Sequence, residues 1–499
     1  MTIYLTVYRA AYVACLLFAI LAGTGCSFAP DYVRPTLEMP AVTQREAERV
    51  PVQWWRRYED PLLDALVREA LQYNRDIAAS VARIEQAAAM TGTKRSELFP
   101  VPSFDADASQ NWASTKSAGG PPPGYEKIRN RNMGFRAAWE LDLWGKYRNS
   151  LHSAVASLHE TQSDHDAAIL LVAGNTVKAY SSLLSARKRA EISEATVKQR
   201  QQAVHYFENT MEAGTSNSVE LNRAKGELEQ AQYNLHMASL EQDLAFSTLS
   251  LLLGRSPKQI MEEKGLGLSA DHSLRPLGNV PDSLPMQLIE QRPDIRAAEY
   301  ALMAAHFDIG VIRAQYLPSV SLSASLGSSA ISFSQLGSSR ASTWMYGGDV
   351  HLPLDFWSTH FQELMAEARC QELVKSYEQS VLNAFSDVRN ATVRLQHLAE
   401  ADKALGRMAW ELHSASNTIW ERYREGYATY LEMLDTDRSL FEALLNMEEM
   451  LNSRISAEVD LYMALGGGWV EGSYPALVLE KEPVPSPTPA GPADATSKP

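Results

Sequence analysis

The chain is poor in cysteine. Of its 499 residues only three are Cys, and Cys15 and Cys26 lie in or beside an N-terminal leader. The body keeps one thiol, Cys370, so no internal disulfide can brace it; its setting, LMAEARCQELV, is that of a small packing residue in a helix. Basic charge is short too. The 46 Lys and Arg are outnumbered by 60 Asp and Glu, giving a net charge of −14, which argues against a nucleic-acid partner. Proline is absent from Tyr147 to Ala213 and from His360 to Glu425, and each run holds one glycine, Gly174 or Gly406. Nothing there interrupts a helix, so each run of about 65 residues predicts on the order of 100 Å of helix. Catalytic signatures are missing: there is no HExxH, Walker loop, GxSxG or paired-cysteine metal site. Asp164-His165-Asp166 falls in mid-helix, where the three side chains fan to different faces. The chain therefore does not read as an enzyme, and no catalytic, metal or cofactor-binding residues are assigned. It also lacks an energy-coupling motif.

The first 26 residues carry Arg9, an apolar run from Ala10 to Ala22, and then GTGC. This is the shape of a signal peptide, and the run is too short for a transmembrane helix. Cys26 after small residues resembles a lipoprotein processing site, although Gly23 stands where that pattern carries Leu. Ser27 follows, so the acidic inner-membrane retention signal is absent. The next segment, CSFAPDYVRP, is extended and should run along the body. Asp60-Pro61 starts a helix, and Trp54 and Trp55 before it read as docking aromatics.

The chain repeats itself. Arg292 to Leu326 is a helix, with Ala297, Ala301, Ala304, Ala305 and Ile309 at helical spacing, that Pro318 is expected to end and that comes out as a strand. After the proline the period becomes two, with Val320, Leu322, Ala324 and Leu326 facing one way and serines between them. Asn74 to Ser109 does the same 218 positions earlier. Asp76 falls on Asp294, Gly92 on Gly310, Arg95 on Arg313 and Pro100 on Pro318. A period this long is a duplicated half-molecule and not a solenoid.

Each half then predicts a hairpin of about ten-residue strands. In the first, Phe104, Ala106, Ala108 and Trp112 oppose Asp105, Asp107, Ser109 and Asn111, and Phe135, Ala137, Trp139, Leu141 and Leu143 oppose Arg136, Glu140 and Asp142. In the second, Trp344, Tyr346, Val350, Leu352 and Leu354 oppose Asp349 and His351. Residues 113–132 and 328–342, rich in Gly, Pro and Ser, are expected as loops. Strands of this length with one apolar face fit a bilayer, or the solvated face of a soluble sandwich. Four strands cannot close a barrel, and open edges are not tolerated in lipid, so a membrane reading requires several chains. The long runs return as second helices, Val219 to Leu253 and Tyr430 to Leu465, with Gly214 and Gly426 as helix-ending glycines.

The order PDYxRP after the cysteine, then WWxxYxDPLLxxLxxEALxxNxDI, then RPDIRAAE with the LPSVSLSAS strand, resembles the TolC family of outer-membrane efflux channels. It is most similar to the lipoprotein branch that includes OprM and the NodT-type proteins, over nearly all of residues 26–470. The resemblance implies a mainly α fold with transmembrane β: a homotrimer, four strands per chain and twelve in all, continued by a long periplasmic α-helical barrel built from the two repeats. It implies an outer-membrane location, a lipid on Cys26 and no other cofactor. The implied partners are a periplasmic adaptor and an inner-membrane pump of the RND type. The implied function is passive export of small molecules, such as drugs, toxic organics or metal ions. A protein-secretion duct and a lipid-anchored periplasmic coiled-coil scaffold are the alternatives. Acidic residues just after the helix turns narrow the periplasmic mouth in this family, and the matching positions are Glu220, Glu432 and Asp435. The expected organisation is a signal peptide at 1–25, an extended segment at 26–60, a first repeat at 61–255 with its hairpin at about 102–143, and a linker at 256–291. A second repeat at 292–466, with its hairpin at about 318–354, and a Pro-rich tail at 467–499 complete it.

Overall fold

The computed structural model describes residues 27–35, 51–112, 114, 116, 122, 127–213, 217–263, 265–266, 272–277 and 292–468. The expectations for the leader, Cys26, Gly214, most of the linker and the tail from 469 onward lie outside these residues. The helices are α1 (Pro61–Tyr73), α2 (Arg75–Ser96), α3 (Lys146–Glu212), α4 (Ser218–Leu252), α5 (Pro257–Glu262), α6 (Pro293–Ala314), α7 (Phe356–Arg424) and α8 (Tyr430–Ala464). The strands are β1 (Val101–Trp112), β2 (Lys127–Leu141), β3 (Ser319–Ala330) and β4 (Ser342–His351).

The duplication is visible element by element. From α2 to α6 and from β1 to β3 both ends move by 218 positions, and from α4 to α8 both ends move by 212. Compactness cuts across the repeats. One unit gathers residues 79–167 and 292–385 with the N-terminal segment, and a second gathers 43–78, 168–291 and 386–499.

The first unit holds the sheet, in the order β1-β2-β3-β4 with every neighbour antiparallel. Its register lines up Phe104, Phe135, Leu326 and Trp344 in one row, and Ala137, Ala324 and Tyr346 in a neighbouring row. The other face carries rows such as Glu140, Ser321 and Asp349. Side-chain alternation fixes this division because a one-residue slip would exchange the faces. The centre of the sheet is tight: Gly134 faces Gly327, and a Cβ on Gly134 would lie 2.7 Å from the Gly327 Cα. Backed by α2, α3, α6 and α7, this unit has a small apolar cluster of Leu302, Ala305, Ile309 and Cys370. Cys370 is buried and reduced, as its sequence setting predicts.

Three expectations need correction here. The prolines do not end the helices: α2 stops at Ser96 and α6 at Ala314, and each proline instead opens the strand after a short turn. The loops are shorter than expected, because β2 starts at Lys127 and β3 continues to Ala330. Lys127–Asn132 is polar and shows no alternation, but β1 opposite it enforces pairing, with Lys127 against Trp112 and Asn132 against Asp107. Finally, the strand faces end earlier than expected, so Leu143, Leu352 and Leu354 lie beyond β2 and β4.

The second unit has the larger core. Trp54, Leu63, Val67, Ile169, Val177, Tyr180, Leu249 and Ile455 are among its buried members. Trp54 stacks on Tyr462 with centroids 4.9 Å apart, and Trp55 donates to Asp64, so both tryptophans dock as expected. Asp60 caps α1 by accepting the Leu62 and Leu63 N–H groups, with Pro61 at the first helical position.

Candidate functional site

The site expected from the sequence lies where α3 passes into α4 and α7 into α8. The local chemistry of both turns is clear. Asn217 caps α4, its side chain accepting from Val219 and Glu220 at 2.9 and 3.1 Å. At the other turn Gly426 is left-handed, at φ 82°, with open space around its α-carbon. Gly426 N–H donates to the Tyr423 carbonyl and Tyr427 N–H to that of Arg422, the glycine-terminated helix end predicted there. Thr429 then caps α8 in a capping box: its hydroxyl accepts the Glu432 N–H, and the Glu432 carboxylate accepts the Thr429 N–H at 2.8 Å.

An apolar cluster joins the four helices at this place. It contains Val204 and Phe207 of α3, Ala224 of α4, and Tyr430, Met433 and Leu434 of α8, with Ile419, Trp420 and Tyr423 of α7 packed on it. Phe207 meets Tyr430 edge to face at 4.7 Å.

The three expected acidic residues are placed differently. Glu432 and Asp435 are both exposed, on the side of α8 away from Met433 and Leu434, so they share a face as their spacing predicts. The Thr429 backbone N–H holds the Glu432 carboxyl below the usual carboxylate range. Glu220 is half-buried instead. Burial, then Tyr206, then the Glu220 charge push the Tyr423 phenol up to about 12. Glu220 therefore lies near Tyr423 of α7.

Asp437 was missed. It is 5 % exposed and accepts from Arg200 of α3 at 3.1 Å, Gln199 at 3.1 Å and Ser416 of α7 at 2.9 Å. The Arg200 side chain is equally enclosed. The signal was available: Asp437 follows Met433 by four and Leu434 by three, so helical spacing places a charge on the apolar face. One residue on, Arg438 pairs with Glu227 of α4, its Nε at 3.2 Å. The junction is thus tied by the buried Arg200–Asp437 pair and by more exposed pairs such as Arg438–Glu227.

The Asp164-His165-Asp166 run does not converge. His165 shares a hydrogen bond with Ser80, and burial lowers its pKa. Asp164 is half-buried near Arg83, and burial raises its pKa. His351 sits on the polar face of the sheet with Asp349.

Comparison with known proteins agrees with this fold. The family model described as outer membrane efflux protein matches twice, over residues 66–255 and 284–467. The cation efflux system protein CusC of Escherichia coli O6:H1 is 29 % identical over 458 residues, covering 90 % of this chain and 97 % of CusC. A solved structure of CusC superposes with a TM-score of 0.77 at 28 % identity, covering 88 % of this chain and all of that one. The probable outer membrane lipoprotein SilC of Salmonella typhimurium is 29 % identical over 463 residues, covering 91 % and 97 % of the two chains. The toluene efflux pump outer membrane protein TtgI of Pseudomonas putida is 29 % identical over 475 residues, with the same coverage. With two family matches that together span most of its length, and a four-stranded sheet joined to paired long helices, the chain belongs to the outer-membrane efflux protein family.

Proposed function

We propose that three copies of this chain form the outer-membrane duct of a tripartite efflux assembly, with Glu220, Glu432 and Asp435 at its periplasmic aperture. The observation that carries the reading is the sheet. Phe104, Phe135, Leu326, Trp344 and Tyr346 are all more than half exposed on one face, and among the described residues β1 and β4 are unpaired edges. In lipid such edges must be closed, and three copies close them as twelve strands. The apolar face then meets acyl chains, and the face with Glu140, Asp349 and His351 meets water. This is a transport channel and not an enzyme; transport through it is passive, and the energy comes from an inner-membrane pump of the RND type through a periplasmic adaptor.

Threefold repetition turns Glu432 and Asp435 into rings of carboxylates, which resist joint ionisation and favour cations. Cys26 carries the lipid; the lipoprotein description of SilC supports this. CusC and TtgI are equally similar to this chain, so similarity does not choose between a cation and an organic solvent as cargo. The cargo class is small molecules or metal ions.

Negative-stain microscopy of detergent-extracted protein tests the duct: threefold particles are expected, and compact monomers that need no detergent would sink it. Planar-bilayer recording tests the aperture. Glu432→Gln with Asp435→Asn removes the charge, while Gln can still serve the capping box. A lower cation preference is expected, and unchanged selectivity would remove these residues from the aperture.

A further inference from the structure

The N-terminal segment Ser27–Pro35 is seated on three helices of the first unit. Ser27 Oγ donates to Asn149 Oδ1 of α3 at 3.0 Å. Tyr32 donates to Glu299 of α6 at 3.1 Å and packs edge-on to His306 at 5.5 Å. Arg34 reaches Tyr377 of α7 at 3.0 Å and Glu299 at 3.4 Å. Between these contacts Ala29 lies against Gly310. A Cβ there would come 2.8 Å from both Cα and Cβ of Ala29 and 2.7 Å from Asn149 Nδ2. Backbone cannot yield as a flexible side chain can, so any larger residue at 310 lifts the segment. Gly92, the matching position in the first repeat, has open space.

The direction of the segment carries the argument. Gly310 is near the end of α6 that leads into β3, and Glu299 is eleven residues back, roughly 16 Å along the helix. Asn149 is in the first turn of α3, which closely follows β2. The segment therefore begins beside the strand-to-helix junction and runs away from the sheet.

We propose that Ser27–Pro35 is a strap that sets the height at which the N-terminal lipid leaves the protein, with Gly310 and Asn149 as its positioning residues. This rests on the lipidation of Cys26 proposed above; the strap's seat does not. Ser27 lies level with the strand ends, where acyl chains enter the leaflet that the sheet crosses, and the strap transfers the tether to helices of both repeats. Lipid and strap hold the same segment at its two ends, so each raises the local concentration of the other at its site.

The test compares Gly310→Val with Gly92→Val in the full chain, expressed with its leader and reconstituted in lipid nanodiscs, where both faces are open to an added protease. Chymotrypsin reads the Tyr32–Val33 bond, and a bimane on Phe28→Cys, quenched by headgroup nitroxides, reads depth. Wild type and Gly92→Val should resist cleavage and show quenching. Gly310→Val should be cleaved at least about tenfold faster, because cleavage of a transiently opened segment follows its open population. It should also lose the quenching while keeping conductance and palmitate incorporation. Equal cleavage and equal quenching in the two variants would overturn the strap. Absence of palmitate from wild type would overturn the lipidation reading, and with it the role of the strap in placing the lipid. Should Gly310→Val fail to assemble, Ala29→Leu brings the same clash from the strap side, outside any helix.

Discussion

Gly92 and Gly310 hold matching places in the two repeats, yet one faces open space and the other faces Ala29 and Asn149. The long-helix junctions differ in the same way. Asp437 matches Lys225 at the 212-residue offset, and Arg200 matches Leu412. Asp437 and Arg200 form a buried pair, whereas Lys225 makes an exposed pair with Glu208 at 3.1 Å. Even the caps diverge: the Asn217 side chain accepts from Val219 and Glu220, while Thr429 and Glu432 cap reciprocally. Duplication kept the path of the backbone, because helical period, prolines and turns recur. It did not keep the side-chain chemistry, because each copy meets different neighbours in the folded chain.

The largest effect expected from breaking this comparison is at the buried pair. Asp437→Leu leaves Arg200 charged and unpaired, which costs about 3–5 kcal/mol. Adding Arg200→Leu should recover most of that loss. Lys225→Leu, the matching change in the other repeat, should cost no more than about 1 kcal/mol, since its pair is solvated. Denaturant unfolding of the assembled protein measures all three, and equal losses at 437 and 225 would contradict the assigned asymmetry.

A smaller effect is expected at the caps. Thr429→Ala should cost about 1 kcal/mol, seen as faster hydrogen exchange in the first turn of α8. The pH dependence has a definite sign. The folded Glu432 carboxyl lies below its ordinary value, so its contribution is present above the ordinary glutamate range and is lost as pH falls through the lowered folded value. The α8 cap should therefore loosen only in acid, and Glu432→Gln should abolish that pH dependence.

The smallest effect is at Asp164. Burial raises its carboxyl pKa, so the ionised form is disfavoured in the folded protein, and stability falls as pH rises through the ordinary aspartate range to the raised value. Asp164→Asn should be the more stable form at pH 7, by less than about 1 kcal/mol because the group is half exposed, and equal to wild type in acid. Thermal melts at the two pH values decide it.

Much of the fold was legible in the sequence. The ends of the long helices, the Asp60 cap and the Gly426 turn fell within a few residues of their expected places, because period, proline and glycine act locally. Three features were not read. The polar stretch Lys127–Asn132 is a strand only because β1 lies opposite it. The Thr429–Glu432 spacing of a capping box was present, but Glu432 was assigned to the aperture alone. Asp437 lay on an apolar helix face without its partner being known.

The sequence by itself determined the elements, their duplication and the two faces of the sheet, since these follow from spacing along the chain. Tertiary structure alone decided that Arg200 meets Asp437, that Glu220 lies near Tyr423, and that a strap crosses Gly310 and not Gly92. Those pairings join residues far apart in the chain, and their energies depend on burial and on who the neighbours are, which no local pattern encodes.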